Sequence, residues 1–314
     1  MTRVKTTLWA LVVIGFAWLD TAEAGPLVAW GDNTVGQCDV PGGGDFVAVS
    51  AGGGHSVALK SDGSLLAWGW NAWNQCDVPP GSDFVAVDAG VHFSLALRED
   101  GSLIAWGSDS AGRIDVPAGN DFVAIAAGEH HSVALRRDGS LVAWGLDTGV
   151  WPPPSGNDFI AIAAGGWHSL AIRADGSLVG WGVNESGQID VPDGNDFIAI
   201  AGGSEHSLAL RADGSLVSWG SDWYGVDDVP EGNDFIAISA GDSFSVARKK
   251  DGSLTAWGLA DVGQCDVPSG NHFEAFSVGA AHGIAIIPEP TSLLGLLTMA
   301  IVWLAATWLR RLRR

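Results

Sequence analysis

A nineteen-residue phrase recurs along this chain and constrains its fold more than any other feature. Residues 127–145 state it as AGEHHSVALRRDGSLVAWG, and residues 164–182 and 202–220 repeat it with few changes. The Trp-Gly pairs that end each copy are 38 residues apart five times and 37 once. They begin at Trp30, Trp68, Trp106, Trp144, Trp181, Trp219 and Trp257. A unit this short cannot bury its own faces, so neighbouring units must stack on one another.

Each unit reads as three short strands. In the copy at 127–145, His131 to Arg136 alternates in the manner of a strand, and Leu141 to Trp144 returns after Asp138-Gly139. We interpret that dipeptide as a two-residue hairpin turn. A third apolar run, residues 121–125, precedes the phrase. One strand face carries Val, Ile or Leu and the other mostly Ala, which predicts small-against-large packing between stacked sheets.

The two ends of the repeat are complementary. Seven Trp-Gly strands and seven Phe strands share only six Asp-Gly turns. The repeat begins with an unpartnered second strand, Leu27 to Trp30, and ends with an unpartnered first strand, His282 to Ile286. We predict that these halves pair and complete a seventh hairpin. The predicted fold is an all-β, seven-bladed propeller over residues 25–287, closed by its N- and C-terminal strands, with the repeated prolines at the crossovers between blades.

Residues 1–24 have the features of a signal peptide. Arg3 and Lys5 precede a short apolar stretch, and Ala22 and Ala24 frame a small-x-small cleavage site. We expect cleavage to leave Gly25 as the first residue. The protein is therefore predicted to be exported.

Residues 288–314 predict a membrane segment. Pro288, Glu289 and Pro290 end the repeat, and residues 293–309 are uncharged and mostly apolar. A helix over that stretch is about 26 Å long, close to the roughly 30 Å hydrocarbon core of a bilayer. The arginines that follow, at 310, 311, 313 and 314, predict a cytoplasmic end, so the propeller lies on the other side of the inner membrane.

Charge and cysteine content limit the partners and the covalent chemistry. The formal net charge is −20, which argues against nucleic acid because phosphate contacts need a basic surface. Cys38, Cys76 and Cys265 occupy one repeated position on separate units, too far apart for a disulfide bond. We expect three free, partly buried thiols.

Residues that repeat are interpreted as scaffold. The Trp-Gly tryptophans are predicted to be core residues. One position holds His in five units and Phe in two, which argues against a metal ligand or general base; its members are His55, Phe93, His131, His168, His206, Phe244 and His282. No catalytic constellation interrupts the repeat, so we predict no enzyme activity and no cofactor. The Asp/Asn and Gly-Gln loops offer oxygens to Ca²⁺ but lack the dense carboxylate spacing of a calcium loop.

Residues that break the repeat are the candidates for function. Strand parity places the Asp-Gly turns on one rim and the AGxxH turns and post-Trp-Gly loops on the other. On that second rim lie His92, His130, Glu129, Glu205 and Asp242 together with extra aromatics. These aromatics form the predicted ligand-binding rim: Trp70, Trp73, Trp151, Trp167, Trp223 and Tyr224. Tryptophan beside carboxylates suits stacking on sugars or hot spots of a protein interface, and packing of Trp over adjacent loops is the alternative.

The repeated phrase resembles that of the regulator of chromosome condensation family. The resemblance covers all of 25–287 and implies a seven-bladed propeller that binds proteins, without a transferable active site. Family members include exchange factors for small nuclear GTPases and secreted bacterial inhibitors of β-lactamase. The tail resembles a PEP-CTERM sorting signal, with Pro288, Glu289 and Pro290, an apolar helix and an arginine cluster. That resemblance implies a Gram-negative bacterium that makes extracellular polysaccharide, processing by an exosortase-type enzyme, and delivery to the cell surface or matrix.

Three functions remain open from the sequence. The first is an exported, non-enzymatic propeller that binds a protein or an extracellular polysaccharide through its aromatic rim. The second is a polysaccharide-acting enzyme, for which the candidate catalytic residues are Glu129, His130 and Glu205. The third is a structural matrix component without a specific ligand.

Overall fold

The computed structural model describes residues 24–146, 152–270 and 272–288, together with Val13–Ile14. The described chain forms seven small antiparallel sheets, the blades, each with three strands of its own. The inner strands of successive blades contact one another around a central channel, and the last contacts the first. The all-β blade architecture predicted from the repeat is therefore confirmed.

Each blade contains an inner, a middle and an outer strand. The inner strands of blades 1 to 7 are β3 (Phe46–Ala51), β6 (Phe84–Ala89), β9 (Phe122–Ala127), β12 (Phe159–Ala164), β15 (Phe197–Gly202), β18 (Phe235–Ala240) and β21 (Ala275–Val278). The middle strands are β4 (His55–Lys60), β7 (Phe93–Arg98), β10 (His131–Arg136), β13 (His168–Arg173), β16 (His206–Arg211), β19 (Phe244–Lys249) and β22 (His282–Ile286). The outer strands are β5 (Leu65–Gly69), β8 (Leu103–Gly107), β11 (Leu141–Gly145), β14 (Leu178–Gly182), β17 (Leu216–Gly220), β20 (Leu254–Gly258) and β2 (Leu27–Gly31).

The terminal segments contribute little regular structure to the described residues. A two-residue strand, β1 (Val13–Ile14), lies within the predicted signal peptide and pairs in parallel with Ala161 and Ile162 of β12.

Two 3-10 helices, Ser110–Gly112 and Trp223–Gly225, lie in loops between blades. The predicted transmembrane helix at 293–309 lies outside the described residues, among which no helix is long and apolar enough to cross a membrane.

The N- and C-terminal strands meet in blade 7. Strand β2 pairs antiparallel with β22, from Leu27 opposite Ile286 to Gly31 opposite His282. Strand β21 pairs on the other side of β22, and blade 7 then packs against β3 of blade 1. The predicted pairing of the two terminal halves is confirmed. The seven sheets stay separate, so no sheet closes on itself.

The turn between middle and outer strands is longer than predicted. In blade 1, Lys60 donates its amide to the Ser64 carbonyl, and Gly63 donates to the Lys60 carbonyl. The loop therefore has three residues, with Gly63 at φ +80°, and the two-residue turn expected from Asp-Gly is wrong. Glycine is required twice over, since a Cβ on Gly63 would also lie 2.3 Å from the Ser82 carbonyl oxygen.

The core consists of apolar layers between neighbouring blades. Val57 and Leu59 of blade 1 form one buried cluster with Phe84 and Ala96 of blade 2. Branched side chains of one blade thus face alanine and phenylalanine of the next, which confirms the small-against-large packing. The core therefore lies at the seams between blades, and a single blade has none of its own.

An indole hydrogen bond crosses every seam for which the donor and acceptor are both described. In six outer strands the tryptophan Nε1 donates to a carbonyl in the loop that follows the preceding blade, over 2.9 to 3.0 Å. The donors are Trp30, Trp68, Trp106, Trp144, Trp219 and Trp257, and their acceptors are Gln264, Gln37, Gln75, Arg113, Gln188 and Val226. These tryptophans are buried or half-buried. Their predicted role in the core is confirmed and extended to a specific polar bond.

A buried histidine–serine bond crosses five of the seven seams. The Nε2 atom of each middle-strand histidine lies 2.6 to 2.9 Å from a serine Oγ of the next blade. The pairs are His55–Ser94, His131–Ser169, His168–Ser207, His206–Ser245 and His282–Ser56. The Ser207 hydroxyl donates to the Gln188 carbonyl, so His168 must donate from Nε2. Burial lowers the pKa of all five histidines, to about 3 or about 4, which keeps them neutral at pH 7.

Two seams lack the histidine–serine bond. Between blades 2 and 3, Phe93 replaces the histidine, and the Ser132 hydroxyl has no hydrogen-bond partner among the described residues. Between blades 6 and 7, Phe244 and Gly283 replace both members of the pair. Phenylalanine is therefore tolerated at this position, and the role of the histidine is to bond neighbouring blades rather than to catalyse a reaction.

The stability of the propeller is expected to fall in acid. Histidine binds a proton with a pKa near 6.5 when unfolded, but at about 3 to 4 in these buried sites. Between those values the unfolded chain binds more protons, so stability is full above pH 6.5 and is lost as the pH falls toward 4, by about 1.4 kcal/mol per pH unit per histidine. His168→Phe, which copies Phe93, should lower the pH slope of the unfolding free energy by one proton in urea titrations. Exposed His272→Phe is the control, and equal slopes in all three proteins would contradict the assignment.

Candidate functional site

The turns between inner and middle strands and the segments after the outer strands share one end of the propeller, the upper rim. In blade 1, Trp70 donates its amide to the Gly54 carbonyl, and in blade 2, Ser108 donates to the His92 carbonyl. The same bond recurs in all seven blades. The predicted division into two rims is therefore confirmed.

Glycine-rich turns form the upper mouth of the central channel. In five blades, the residue after the turn glycine donates its amide to a carbonyl of the next blade, as Gly166 does to Gly203 over 3.0 Å. A Cβ on Gly165 would lie 2.4 Å from the Gly203 carbonyl oxygen, so the blades can approach this closely only with glycine. The mouth encloses a cavity of about 120 Å³. Most of its lining residues are glycine or alanine, and its three charged residues are all acidic: Asp88, Glu129 and Asp242.

Asp88 lies on an inner strand at a position that holds Ser or Ala in every other blade. Its carboxylate accepts hydrogen bonds from the Ser50 hydroxyl (2.8 Å) and the Ala89 amide (3.1 Å), and from the Ala127 amide of blade 3 (2.8 Å). Burial raises the pKa of Asp88 to about 6. The side chain joins three blades, including the seam at which Phe93 replaces histidine.

Two aromatic pairs lie on the upper rim over blades 1 to 4. Trp70 meets His92 edge-on, with ring centroids 5.0 Å apart at 87°. Trp167 lies 4.0 Å from His130 with the rings tilted by 37°. Burial lowers the pKa of His92. Trp70 and Trp167 are half-buried, so part of each indole is used in packing on the rim itself.

A charged cluster connects these pairs. Arg113 donates from Nη1 to the Glu129 carbonyl over 2.9 Å, and its guanidinium lies 5.8 Å from the centre of the Phe93 ring. The Glu129 Oε2 atom lies 3.8 Å from His130 Nε2, while Oε1 is buried without a hydrogen-bond partner in the described part of the chain. Burial, and then the charge of Glu129, raise the pKa of Asp242 to about 6. The mouth therefore carries negative charge beside aromatic rings.

Three other predicted rim residues are more exposed. Trp73, Trp223 and Tyr224 expose 52%, 72% and 58% of their surfaces. Trp223 and Tyr224 form an edge-on pair with centroids 6.4 Å apart after blade 5, and Tyr224 has φ +64°, a strained conformation for a bulky residue. Trp73 follows blade 1. Of the six aromatics predicted for the rim, Trp151 lies outside the described residues.

The residues proposed for catalysis are only partly together. Glu129 and His130 are neighbours, whereas Glu205 accepts a weak hydrogen bond from Ser186 after blade 4 (3.4 Å). No group of three or more His, Cys, Asp or Glu in the described residues could hold a metal ion. In the loop after Trp30, Asp32 accepts hydrogen bonds from Thr34 and Gln37, so its oxygens are engaged within the loop.

The three cysteines are free and half-buried, as predicted. The Cys38 thiol donates to the Asp32 carbonyl over 3.2 Å, and the Cys76 thiol donates to the Trp70 carbonyl over 3.3 Å. Burial raises the pKa of both thiols to about 11. They are therefore protonated packing groups of the loops rather than nucleophiles.

The repeat model named "Regulator of chromosome condensation (RCC1) repeat" matches residues 46–75, 84–113, 122–148, 159–188, 197–225 and 235–264. These segments cover more than half of the chain. The chain belongs to this repeat family. The family predicted from the nineteen-residue phrase is thereby confirmed.

Solved structures share the fold at low identity. Prp20p from Saccharomyces cerevisiae is 17% identical with a TM-score of 0.74, over 91% of this chain and 96% of that chain. Human WBSCR16 is 16% identical with a TM-score of 0.69, over 84% and 100%. The ectodomain of the Arabidopsis thaliana receptor kinase ACR4 is 24% identical with a TM-score of 0.64, over 79% and 95%. These likenesses show the fold alone. No match was found among curated proteins.

Sequence reasoning missed two residues of this region. Asp88 is the only charged residue at its inner-strand position, and Arg113 replaces the glutamine that Gln37, Gln75 and Gln188 supply in other loops. Both departures from the repeat are readable from the sequence. They were not predicted because the sequence alone does not show that Asp88 and Arg113 contact the neighbouring blade.

Proposed function

We propose that this chain is an exported propeller without catalytic activity that binds a partner protein through its upper rim. The observation that carries the proposal is the exposure of Trp73, Trp223 and Tyr224 by more than half. Large aromatic side chains are the commonest anchors of protein interfaces, and none of these three belongs to the repeat that builds the scaffold. Exposing them costs solubility, which a binding role explains.

Similar propellers support a protein ligand. The structural report on yeast Prp20p describes its binding to Gsp1p and histones, and a second report describes yeast RCC1 (Prp20) bound to Kap60. One propeller scaffold can carry different binding sites on its rim, so a protein-binding rim is compatible with this fold. The particular partners of those proteins are not transferred to this chain.

The charge of the rim indicates the chemistry of the partner. Glu129 lies beside the His130–Trp167 pair, Asp242 lines the same mouth, Glu205 lies on the same rim, and the whole chain carries a net charge of −20. Lysine or arginine of a partner can pair with these carboxylates and stack on tryptophan faces. We therefore propose a partner with a basic, partly apolar surface. An extracellular polysaccharide, which also stacks on tryptophan, is the alternative ligand.

Replacing Trp73, Trp223 and Tyr224 together by Ala should weaken binding by at least tenfold, because each anchor in a desolvated interface contributes about 2 kcal/mol. The measurement is surface plasmon resonance of the purified protein from Gly25 onward against fractionated surface proteins of the producing cells. Val85→Ala/Ile160→Ala is the matched control, since both residues are similarly exposed but belong to inner strands. Equal binding by all three proteins would contradict the proposal. Binding only to purified polysaccharide would replace the protein partner by the alternative.

We also propose that the two chain ends control delivery. Residues 1–24 direct export, and Pro288, Glu289 and Pro290 with the apolar stretch 293–309 direct sorting by an exosortase-type enzyme after a transient stay in the inner membrane. The order of these features in the sequence supports this route. The propeller then reaches the cell surface or the extracellular matrix.

Changing Pro288, Glu289 and Pro290 to Ala should leave the protein uncleaved in the inner membrane of the producing bacterium. Fractionation and immunoblotting measure the position and size of the product. Replacing Pro268 by Ala, a proline of the repeat outside the tail, is the control and should not alter sorting. Normal release of the tail variant would refute the sorting role.

A further inference from the structure

A second cavity lies at the opposite end of the propeller, the lower rim, which carries the Asp-Gly turns and the beginnings of the inner strands. It has a volume of about 400 Å³ and lies where blades 5, 6 and 7 meet. Ile198 and Ile236 form its apolar wall, and Arg248, Lys250 and Glu274 are its charged residues. We call this cavity the lower groove.

The lower groove has two cations that the repeat does not supply. A basic residue near the end of the middle strand pairs with an aspartate of its own blade in six blades. In blade 6, Lys249 makes this pair with Asp234. Arg248 and Lys250 on either side of Lys249 are therefore additional charges. Arg248 stands where the other middle strands have an aliphatic residue: Leu59, Leu97, Leu135, Ile172, Leu210 and Ile286.

Arg248 is a half-buried cation whose charge is only partly compensated. Its Nη1 atom donates to the Phe273 carbonyl over 2.6 Å and to the Glu274 carbonyl over 2.8 Å. Among the described residues, its buried Nε atom has no hydrogen-bond partner and no carboxylate forms an ion pair with it. Burial lowers the pKa of Arg248, and the charge of Glu274 opposes this only in part. The two carbonyl groups accept hydrogen bonds from the Arg248 guanidinium but do not neutralise its positive charge. An anion that enters the groove would therefore be stabilised here.

The composition of the groove favours an anion with an apolar neighbour. Arg248, Lys250 and Glu274, the charged residues that line the groove, together give one net positive charge, which attracts an anion and equals the charge of a single carboxylate. Ile198 and Ile236 offer an aliphatic wall, which suits an aliphatic side chain rather than the stacked ring of a sugar. Lys250 is exposed, and its Nζ contacts only the Asn233 carbonyl over 3.4 Å in the described structure. It is free to turn toward a ligand.

We infer that the lower groove binds an acidic peptide segment of a partner protein, with an aspartate or glutamate side chain at Arg248 and Lys250 and an adjacent aliphatic side chain against Ile198 and Ile236. Glu274 remains available to accept an amide hydrogen of the same peptide. This site is independent of the aromatic upper rim. It would give the propeller two faces with opposite preferences, basic partners above and acidic segments below.

The test is fluorescence anisotropy of the full chain with a labelled peptide that contains Leu-Asp between glycines and has blocked ends. The same peptide with Leu-Asn should bind at least tenfold more weakly. Lys250→Ala and Arg248→Leu should each reduce affinity for the acidic peptide by at least fivefold, and Leu fits the packing because four other blades carry it there. Ile236→Ser should weaken both peptides alike.

Matched variants on blade 3 separate a local site from general attraction. Arg137 occupies the position of Lys250, and Val123 that of Ile236, so Arg137→Ala and Val123→Ser should leave affinity unchanged. The triple aromatic variant of the upper rim should also bind the peptide with unchanged affinity. A failure of the upper-rim proposal can therefore be distinguished from a failure of this one. Equal affinity for Leu-Asp and Leu-Asn peptides, or losses as large on blade 3 as on blade 6, would overturn the inference. If Arg248→Leu does not fold, Lys250→Ala and Ile236→Ser decide alone.

Discussion

The bond from an outer-strand indole to the backbone of the preceding blade is the interaction on which the rest of the propeller depends. A blade of three strands cannot bury its own faces, so folding is possible only when neighbours dock. The indole bond fixes where they dock, and the histidine–serine bond and the close approach of the glycine-rich turns add to it, each at five of the seven seams. Because Trp106 and its counterparts combine apolar burial with one directed bond, they set the angle between blades as well as their attraction.

Departures from this pattern fall into two groups with different consequences. At seams without the histidine–serine bond, charged side chains cross instead: Asp88 reaches the Ala127 amide, and Arg248 reaches carbonyls of blade 7. On the rims, departures leave side chains without a structural task, such as the exposed Trp73 and Trp223. Arg248 belongs to both groups, since it bridges a seam and retains uncompensated charge at the lower groove. Departures from the repeat therefore bridge a seam, as Asp88 does, or lie exposed on a rim, as Trp73 does.

The sequence predicts the scaffold well because period and strand alternation are local properties. The blades, the pairing of Leu27 with Ile286 across the termini and the free cysteines all follow from spacing. The turn at Gly63 differs because Asp-Gly fits both two- and three-residue loops, and only the register of the flanking strands decides. Asp88 and the lower groove were not foreseen, because they depend on which residues of different blades meet across a seam. Such contacts are set by packing in three dimensions rather than by position in the repeat.

We propose that the repeated tryptophans maintain the seams and that the exposed off-repeat tryptophans, Trp73 and Trp223, bind a partner. The unfolding free energy of Trp106→Phe compared with that of Trp73→Phe tests this most directly. Loss of the indole donor at Trp106 leaves the Gln75 carbonyl buried without its partner, so we expect a loss of about 2 kcal/mol. Trp73→Phe should change stability by less than about 0.5 kcal/mol, as for an ordinary surface substitution. Equal losses, or a larger loss for Trp73→Phe, would contradict the division between scaffold and recognition surface.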